Sequence, residues 1–377
     1  MQTLLYRPTT VEEITHIKSV YVNNNAGVFN YQQIDTIRFI TICFIVWGHC
    51  LLGWDKKTTH TFTEELIKIF VLQTGRISTI IFFIVSGFLL KPKLQDYTVS
   101  SYFKKRLPKI YLPWFISISI IMVLSVIQLI PLHDLWVSRD IKTFIRLNYN
   151  ILNGLLLYSS YWFITTYMAG MAILIFLKNY VNKLWLGLIF LTITLFYCLN
   201  LHYVWIDPNH EKAILAYTFF IWLGVQINTH SEKVYDFLNK ISWPVVIGLF
   251  IGLFILASYE GHSLTDLHLI DAYASNRFTN SILSVFFFLA LLKMGKISFI
   301  NKLNPRHTVY GIYLIHNILI FELVMAVEYY YKDSLASLSV WNLLAIQVCF
   351  AAFVIALCYK LVKLMANSKF KWAIGIS

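Results

Sequence analysis

Ile34 to Cys50 reads IDTIRFITICFIVWGHC. Charge is confined to Asp35 and Arg38 near its start, and the apolar run continues to about residue 54. A hydrocarbon core about 30 Å thick takes roughly 17–25 apolar residues to cross. In lipid the backbone must hydrogen-bond to itself, so a stretch of this length is a helix. Arg38 and His49 are eleven residues apart. That is almost three turns, so their side chains share a face and lie about 16 Å apart along the axis. Asp35, three residues before Arg38, is on the same face. Ionisable groups inside a span are costly there and are functional candidates by default.

Nine further apolar stretches follow, at about 66–90, 110–130, 155–177, 184–203, 211–228, 243–258, 278–294, 308–328 and 341–362. Lys68, Gln73 and Arg76 interrupt the first of these nine, so 62–74 also reads as an interfacial helix. Composition agrees with the count. The chain has 377 residues, 58% hydrophobic and 13% charged, against about 45–50% and about 25% in soluble domains. A soluble enzyme, a disordered scaffold and a coiled coil are excluded. The expected fold is all-α, a polytopic membrane protein of about ten transmembrane helices.

The net charge of +12 is first a topology signal. With the N-terminus in the cytoplasm, 20 of the 31 Lys and Arg fall in cytoplasmic segments and 9 in outer ones. This bias places both termini inside, so the charge does not call for nucleic acid. The organisation reads as a cytoplasmic extension over 1–33, a ten-helix domain over 34–364 and a cytoplasmic tail over 365–377. The extension lacks the apolar core of a cleavable signal peptide. The loops 131–154 and 259–277 are the longest outside. All five cysteines lie in apolar runs without metal-ligand or CxxC spacing, so neither a zinc site nor a disulfide framework is expected.

Each candidate residue has two open readings. Asp35 and Arg38 are an interfacial ion pair with His49 a satisfied core histidine, or they are parts of one site. A histidine suits acyl transfer, because it takes a hydroxyl proton at neutral pH or carries an acyl group itself. Cys50 points about 100° away from His49 and reads as packing. The segment 91–109, with Lys104, Lys105, Arg106 and Lys109, is a positive-inside loop or a phosphate-binding rim. Ser86-Gly87 permits close helix approach. Arg76 is an interfacial cation or a site residue. His316 and Glu322 are six residues apart on opposite faces of the ninth span, each a functional group or a partner to a neighbouring helix. Trp162 belongs to an interfacial aromatic belt or offers a sugar-stacking face. GxGxxG, Walker A, GxSxG and HExxH motifs are all missing.

Five motifs in chain order resemble the acyltransferase-3 family of membrane acyltransferases. They are Arg38-X10-His49, the FFIVSGFL run from Phe82 to Leu89, RLPKIYLP from Arg106 to Pro113, YWFITTY around Trp162, and YGIYLIH from Tyr310 to His316. Two departures stand out. Lys109 replaces the second arginine of an RxxR pair, keeping charge but losing a bidentate fork. Tyr167 stands where relatives with a fused extracytoplasmic domain carry a glutamate. The chain is more similar to the stand-alone branch, which includes enterobacterial common antigen O-acetyltransferases and intercellular-adhesion-type proteins.

The resemblance implies an O-acyltransferase of a bacterial inner membrane. Its donor is acetyl-CoA or another short acyl-CoA, with no metal. Its acceptor is a hydroxyl of an envelope polysaccharide or its lipid-linked precursor. It implies His49 and Asp35 as catalytic residues, Arg38, Lys105, Arg106 and Lys109 as donor-binding, and Trp162, Arg76, His316 and Glu322 as substrate-binding. Membrane lipid is a further partner and an oligomer is compatible. The rival reading is a transporter or polysaccharide exporter, with Arg38, His49, His316 and Glu322 as proton or substrate groups. It predicts no need for acyl-CoA.

Overall fold

The structure is a computed structural model and describes residues 29–54, 57–129, 141–157, 159–266 and 272–376. The expected extension up to residue 28, residues 130–140 of the 131–154 loop and residues 267–271 of the 259–277 loop lie outside the described residues. Among the described residues every regular element is a helix. In chain order they are α1 (Tyr31–His49), α2 (Phe62–Thr74), α3 (Ser78–Leu90), α4 (Val99–Arg106), α5 (Leu112–Leu129), α6 (Ile141–Leu157), α7 (Trp162–Phe176), α8 (Leu184–Tyr203), α9 (Thr218–Thr229), α10 (Ser231–Lys240), α11 (Trp243–Asp266), α12 (Phe278–Met294), α13 (Ser298–Lys302), α14 (Pro305–Ser337) and α15 (Val340–Ala366).

Each of the ten predicted stretches is helical, and two of them, 66–90 and 155–177, are each divided between two helices. Among the described residues six helical runs are long and apolar enough to cross a membrane: Phe62–Lys93, Val99–Ser125, Leu184–Tyr203, Trp243–Thr265, Pro305–Tyr331 and Val340–Ala366. The pair Asn148–Leu157 and Trp162–Phe176, bent by 62°, makes a seventh if counted as one span. Ile214–Thr229 and Phe278–Met294 are shorter apolar helices. The remaining stretch is α1, whose first turns hold Gln32, Gln33, Asp35 and Arg38. The chain is a multi-pass membrane protein.

Local chemistry sets the helix starts. The Asn30 side chain accepts from the Gln32 N–H (3.0 Å) and the Gln33 side chain accepts from the Asn30 N–H (2.8 Å), a capping box for α1. Such pairs satisfy donors that the first turn leaves free. Helix α12 is capped from afar. Glu260 accepts from the N–H groups of Phe278 (3.1 Å) and Thr279 (2.9 Å) and from the Thr279 hydroxyl. An acid read as a loop charge is thus the cap of another helix, where the positive end of the helix dipole favours it.

Three segments differ from the expected loops and spans. The 66–90 stretch is two helices, α2 and α3, broken at Gly75–Ile77. Helix α2 does not lie flat throughout, since its Val71–Thr74 end is buried. The second half of the 131–154 loop is the helix α6. Arg277, counted with the outer loop, is wholly buried. It donates to the carbonyls of Ala274 (3.1 Å) and Ala257 and to the Gln73 side chain. Burying a guanidinium is tolerated only when its donors are satisfied, and Gln73, read as an interruption, is one of the acceptors.

Two apolar cores divide the bundle. One joins α3, α7, α8, α9 and α12. The other joins α1, α5, α14 and α15. Helix α1 is their shared wall, with Ile34 and Ile37 in the first core and Ile42 and Val46 in the second. Close approach fixes the first core. A Cβ on Gly87 would collide with the Ile221 carbonyl, and one on Gly224 with the Ile84 carbonyl. Small residues of this kind let membrane helices pack backbone to backbone.

Candidate functional site

The seam along α1 holds two polar clusters. The first begins where α4 ends. Pro108 has no N–H to give, and Leu107–Tyr111 forms a π-helical turn before α5, a feature that recurs at functional sites. Arg106, the last residue of α4, lies with its guanidinium carbon 5.5 Å from the centre of the Tyr102 ring. The Tyr102 hydroxyl meets the Tyr167 hydroxyl at 2.5 Å. Arg38 and Arg106 are both within electrostatic reach of Tyr167, and Arg306 within reach of Arg38. The acid here is Asp35, 3.3 Å from Arg38. The Arg106 Nε is buried and has no hydrogen-bond partner. Three guanidinium groups against one carboxylate leave net positive charge, which an anionic group would neutralise. Lys105 sits over Tyr97 at 5.6 Å. Lys105 and Lys109 have exposed side chains, so they form a rim rather than the centre.

The second cluster surrounds His49, the last residue of α1. Gly48 meets the break between α2 and α3. A Cβ on Gly48 would lie 2.9 Å from the Gly75 Cα, and a Cβ on Gly75 would fall inside the Gly48 backbone. Because the glycines touch, the residues that follow them, His49 and Arg76, are brought together. Arg76 is within electrostatic reach of His49, and its Nε is buried without a hydrogen-bond partner. Its carbonyl accepts from Asn280 Nδ2 (3.2 Å), and Asn280 Oδ1 accepts from Gln73 (2.8 Å). The Arg277–Gln73–Asn280 network therefore secures the break that carries Arg76. Trp47 donates to the Val71 carbonyl (3.1 Å) and Gln347 donates to the Trp47 carbonyl (3.2 Å), tying down the end of α1.

Gly75→Val is expected to separate these two backbones. Overpacking of this kind costs about 1–3 kcal/mol or more. The expected result is a lower melting temperature of the purified variant. An unchanged melting temperature would show that the glycine contact does not hold the break against α1.

His316 of α14 brings its ring centre to 5.5 Å from that of His49. It is wholly buried. Its Nδ1 donates to the Ile312 carbonyl (3.2 Å), since a carbonyl only accepts. Its Nε2 is left as a buried acceptor with no partner. His49 keeps some accessible surface. Two candidates from distant parts of the chain thus form a histidine pair. Glu322 lies about 9 Å further along the helix axis.

A line of rings joins the clusters. Tyr167 stacks near Phe163 at 6.2 Å, Phe163 is 5.9 Å from Tyr313, and Tyr313 is 5.8 Å from His316. Trp162, buried at the start of α7, stands edge-on to His210 at 5.3 Å. Three functional candidates escaped the sequence reading: Tyr167 as a cluster centre, Gly75 and Arg277. Tyr167 had been singled out as a departure, which was a usable signal. The others carry no local pattern. No group of three metal-ligating side chains occurs among the described residues.

The arrangement has a cationic end, a histidine pair about 16 Å away along α1 and an aromatic wall between them. A family model described as an acyltransferase domain matches residues 31–363. No curated protein and no solved structure matches the chain.

Proposed function

The chain belongs to the acyltransferase-3 family, and on that premise we propose that it transfers a short acyl group from cytoplasmic acyl-CoA to a hydroxyl of a cell-envelope glycan or its lipid-linked precursor. The acyl group is acetyl in the first instance and succinyl in the second. The observation that carries this reading is the placement of the Arg38–Arg106 cluster and the His49–His316 pair at the two ends of one helical face. The separation suits a donor with phosphates at one end and a thioester at the other.

In this reading Arg38 and Arg106 hold the donor phosphates through charge-assisted hydrogen bonds. Lys105 and Lys109 attract the anion at the rim. The acyl arm follows the line from Tyr167 to Tyr313, which excludes water and leaves the carbonyl beside His49. The acceptor oxygen forms a bond to the acyl carbon, the carbon–sulfur bond breaks, and the hydroxyl proton passes to His49 and then to the departing thiolate. If His49 carries the acyl group instead, its ring nitrogen bonds the acyl carbon as the carbon–sulfur bond breaks and the thiolate leaves with the ring proton; the acceptor oxygen then bonds the acyl carbon as the carbon–nitrogen bond breaks, and the hydroxyl proton returns to the ring. His316 orients His49, and Arg76 faces the oxygen on which negative charge develops. Asp35 holds Arg38 in place rather than meeting the thioester. In this reading the enzyme sits in a bacterial inner membrane with the Arg38 end towards the cytoplasm, the side on which most Lys and Arg of the connecting segments fall.

Acetyl-CoA, succinyl-CoA and free CoA added to the purified protein provide the test. A ligand bound at 100 times its Kd stabilises the folded state by about 2.7 kcal/mol. Acetyl-CoA is expected to raise the melting temperature, and its acyl group to appear on a glycan. A protein stabilised by none of the three, with no acyl group transferred, would overturn the proposal.

A further inference from the structure

Helix α15 ends at Ala366, and the segment after it, read from the sequence as a cytoplasmic tail, folds back onto the bundle. The Ser368 hydroxyl oxygen accepts from the Phe370 N–H (3.0 Å), and a short helical turn follows over Lys371–Ile374. The N–H groups of Gly375 and Ile376 donate back to the carbonyls of Trp372 (3.1 Å) and Lys371 (3.1 Å). The turn sorts its side chains. Lys369, Phe370, Lys371 and Trp372 are exposed, whereas Ile374 is buried to 2% exposure. Ile374 joins the second apolar core beside Tyr111, Val309, Ile312 and Val362. It sits against Gly311 of α14, where a Cβ would lie 3.4 Å from the Ile374 Cβ.

Gly375 has a φ of +78°, a left-handed conformation that glycine adopts without a steric penalty. Space demands a glycine here as well. A Cβ on Gly375 would collide with the Lys109 carbonyl and the Tyr310 ring. The tail backbone therefore lies directly on the π-helical turn Leu107–Tyr111, at the carbonyl to which Pro113, four residues on, has no N–H to give. The next carbonyl of that turn, of Ile110, accepts from the Tyr310 hydroxyl (2.5 Å). Two successive carbonyls of the turn are thus met from outside it, one by the tail and one by α14. The Ile374–Gly311 contact joins these two supports to each other.

The turn they hold carries the donor cluster. Arg106 immediately precedes it, with its guanidinium over the Tyr102 ring and its Nε buried without a hydrogen-bond partner. A turn with an extra residue can be seated in more than one way, so its outside contacts set the angle at which α4 meets α5. A shift of the turn moves Arg106 first. We propose that Gly375 and Ile374 are positioning residues of the donor site, and that the 368–376 segment is a strap that fixes the π-helical turn and so sets where Arg106 meets the donor phosphates. This rests on the acyltransferase reading and adds to its donor site a segment outside the ten spans.

Gly375→Val in the purified full chain tests this, with the Kd for acetyl-CoA as the readout and the melting temperature as the control for folding. The Kd is expected to rise about tenfold. Added to Arg106→Ala, the same substitution is expected to raise that variant's Kd by less than about twofold, because the strap acts through Arg106. A substitution that merely loosens the fold has no such coupling, and its loss would add in full to that of Arg106→Ala. Should Gly375→Val melt too early to be assayed, Gly375→Ala, which adds the colliding Cβ and nothing more, is read in the same way. A Kd unchanged in the variant, or a full further loss in the Arg106→Ala background, overturns the proposal and leaves the acyltransferase reading standing. If acetyl-CoA does not bind the wild-type chain, that reading falls first, and the role of the strap falls with it.

Discussion

His49→Ala is expected to give a folded protein that still binds acetyl-CoA and transfers its acyl group about 10²–10⁴-fold more slowly. That is the usual contribution of a positioned acid–base group. His49 ends α1, and its side chain is not part of the contacts that hold the helix end. Those come from Trp47, Gly48 and Gln347. Removing the imidazole therefore costs little packing. His316, 5.5 Å away, keeps its bond to Ile312 and does not move into the vacant place. The measurement is the rate of label transfer at saturating acetyl-CoA, with the melting temperature as the control for folding. Full transfer by the variant would remove His49 from the chemistry. His316→Ala should lower the rate less, because it acts through His49.

Arg106→Ala is expected to raise the Kd for acetyl-CoA by about 10–100-fold, with a smaller effect on the rate at saturating donor. A hydrogen bond to a charged group contributes about 1.5–3 kcal/mol, and about 1.4 kcal/mol is tenfold in affinity. Arg38→Ala should weaken donor binding to a similar degree and leave Asp35 without its cation. The losses at the two positions should not add, because both guanidinium groups lie within electrostatic reach of Tyr167 and address one anion. Arg106→Lys keeps the charge but loses the planar fork and the contact over Tyr102, so partial recovery is expected. Lys105→Ala or Lys109→Ala, at exposed positions, should change the Kd little and mainly alter its salt dependence. Equal losses at all four positions would show that the cluster is a diffuse basic surface.

Much of the fold was legible before any coordinates. Every apolar stretch became helical, in one piece or two, because length and hydropathy act within one segment, where lipid leaves the backbone no alternative. The boundaries that failed have identifiable causes. The break at Gly75 depends on Gly48, 27 residues earlier. Helix α6 is too polar to stand out from a loop. Arg277 reads as a loop charge until Gln73 and the Ala257 carbonyl are placed around it.

The candidate site divides in the same way. Arg38 and His49 share one helix, so the periodicity of that helix alone puts them on one face at a known separation. The charge surplus at one side of the spans and the role of Gly87 in close packing were likewise within reach of the linear chain. Nothing local brings His316 to His49, seats Tyr167 between two arginines, or leads the rings of Phe163 and Tyr313 from one cluster to the other. Those relations join residues tens to hundreds of positions apart. A sequence pattern records which face of a helix is apolar, but not which helix it will meet or at what height. The height was decided by a few backbone contacts, above all Gly48 on Gly75, and the site exists where those contacts set it.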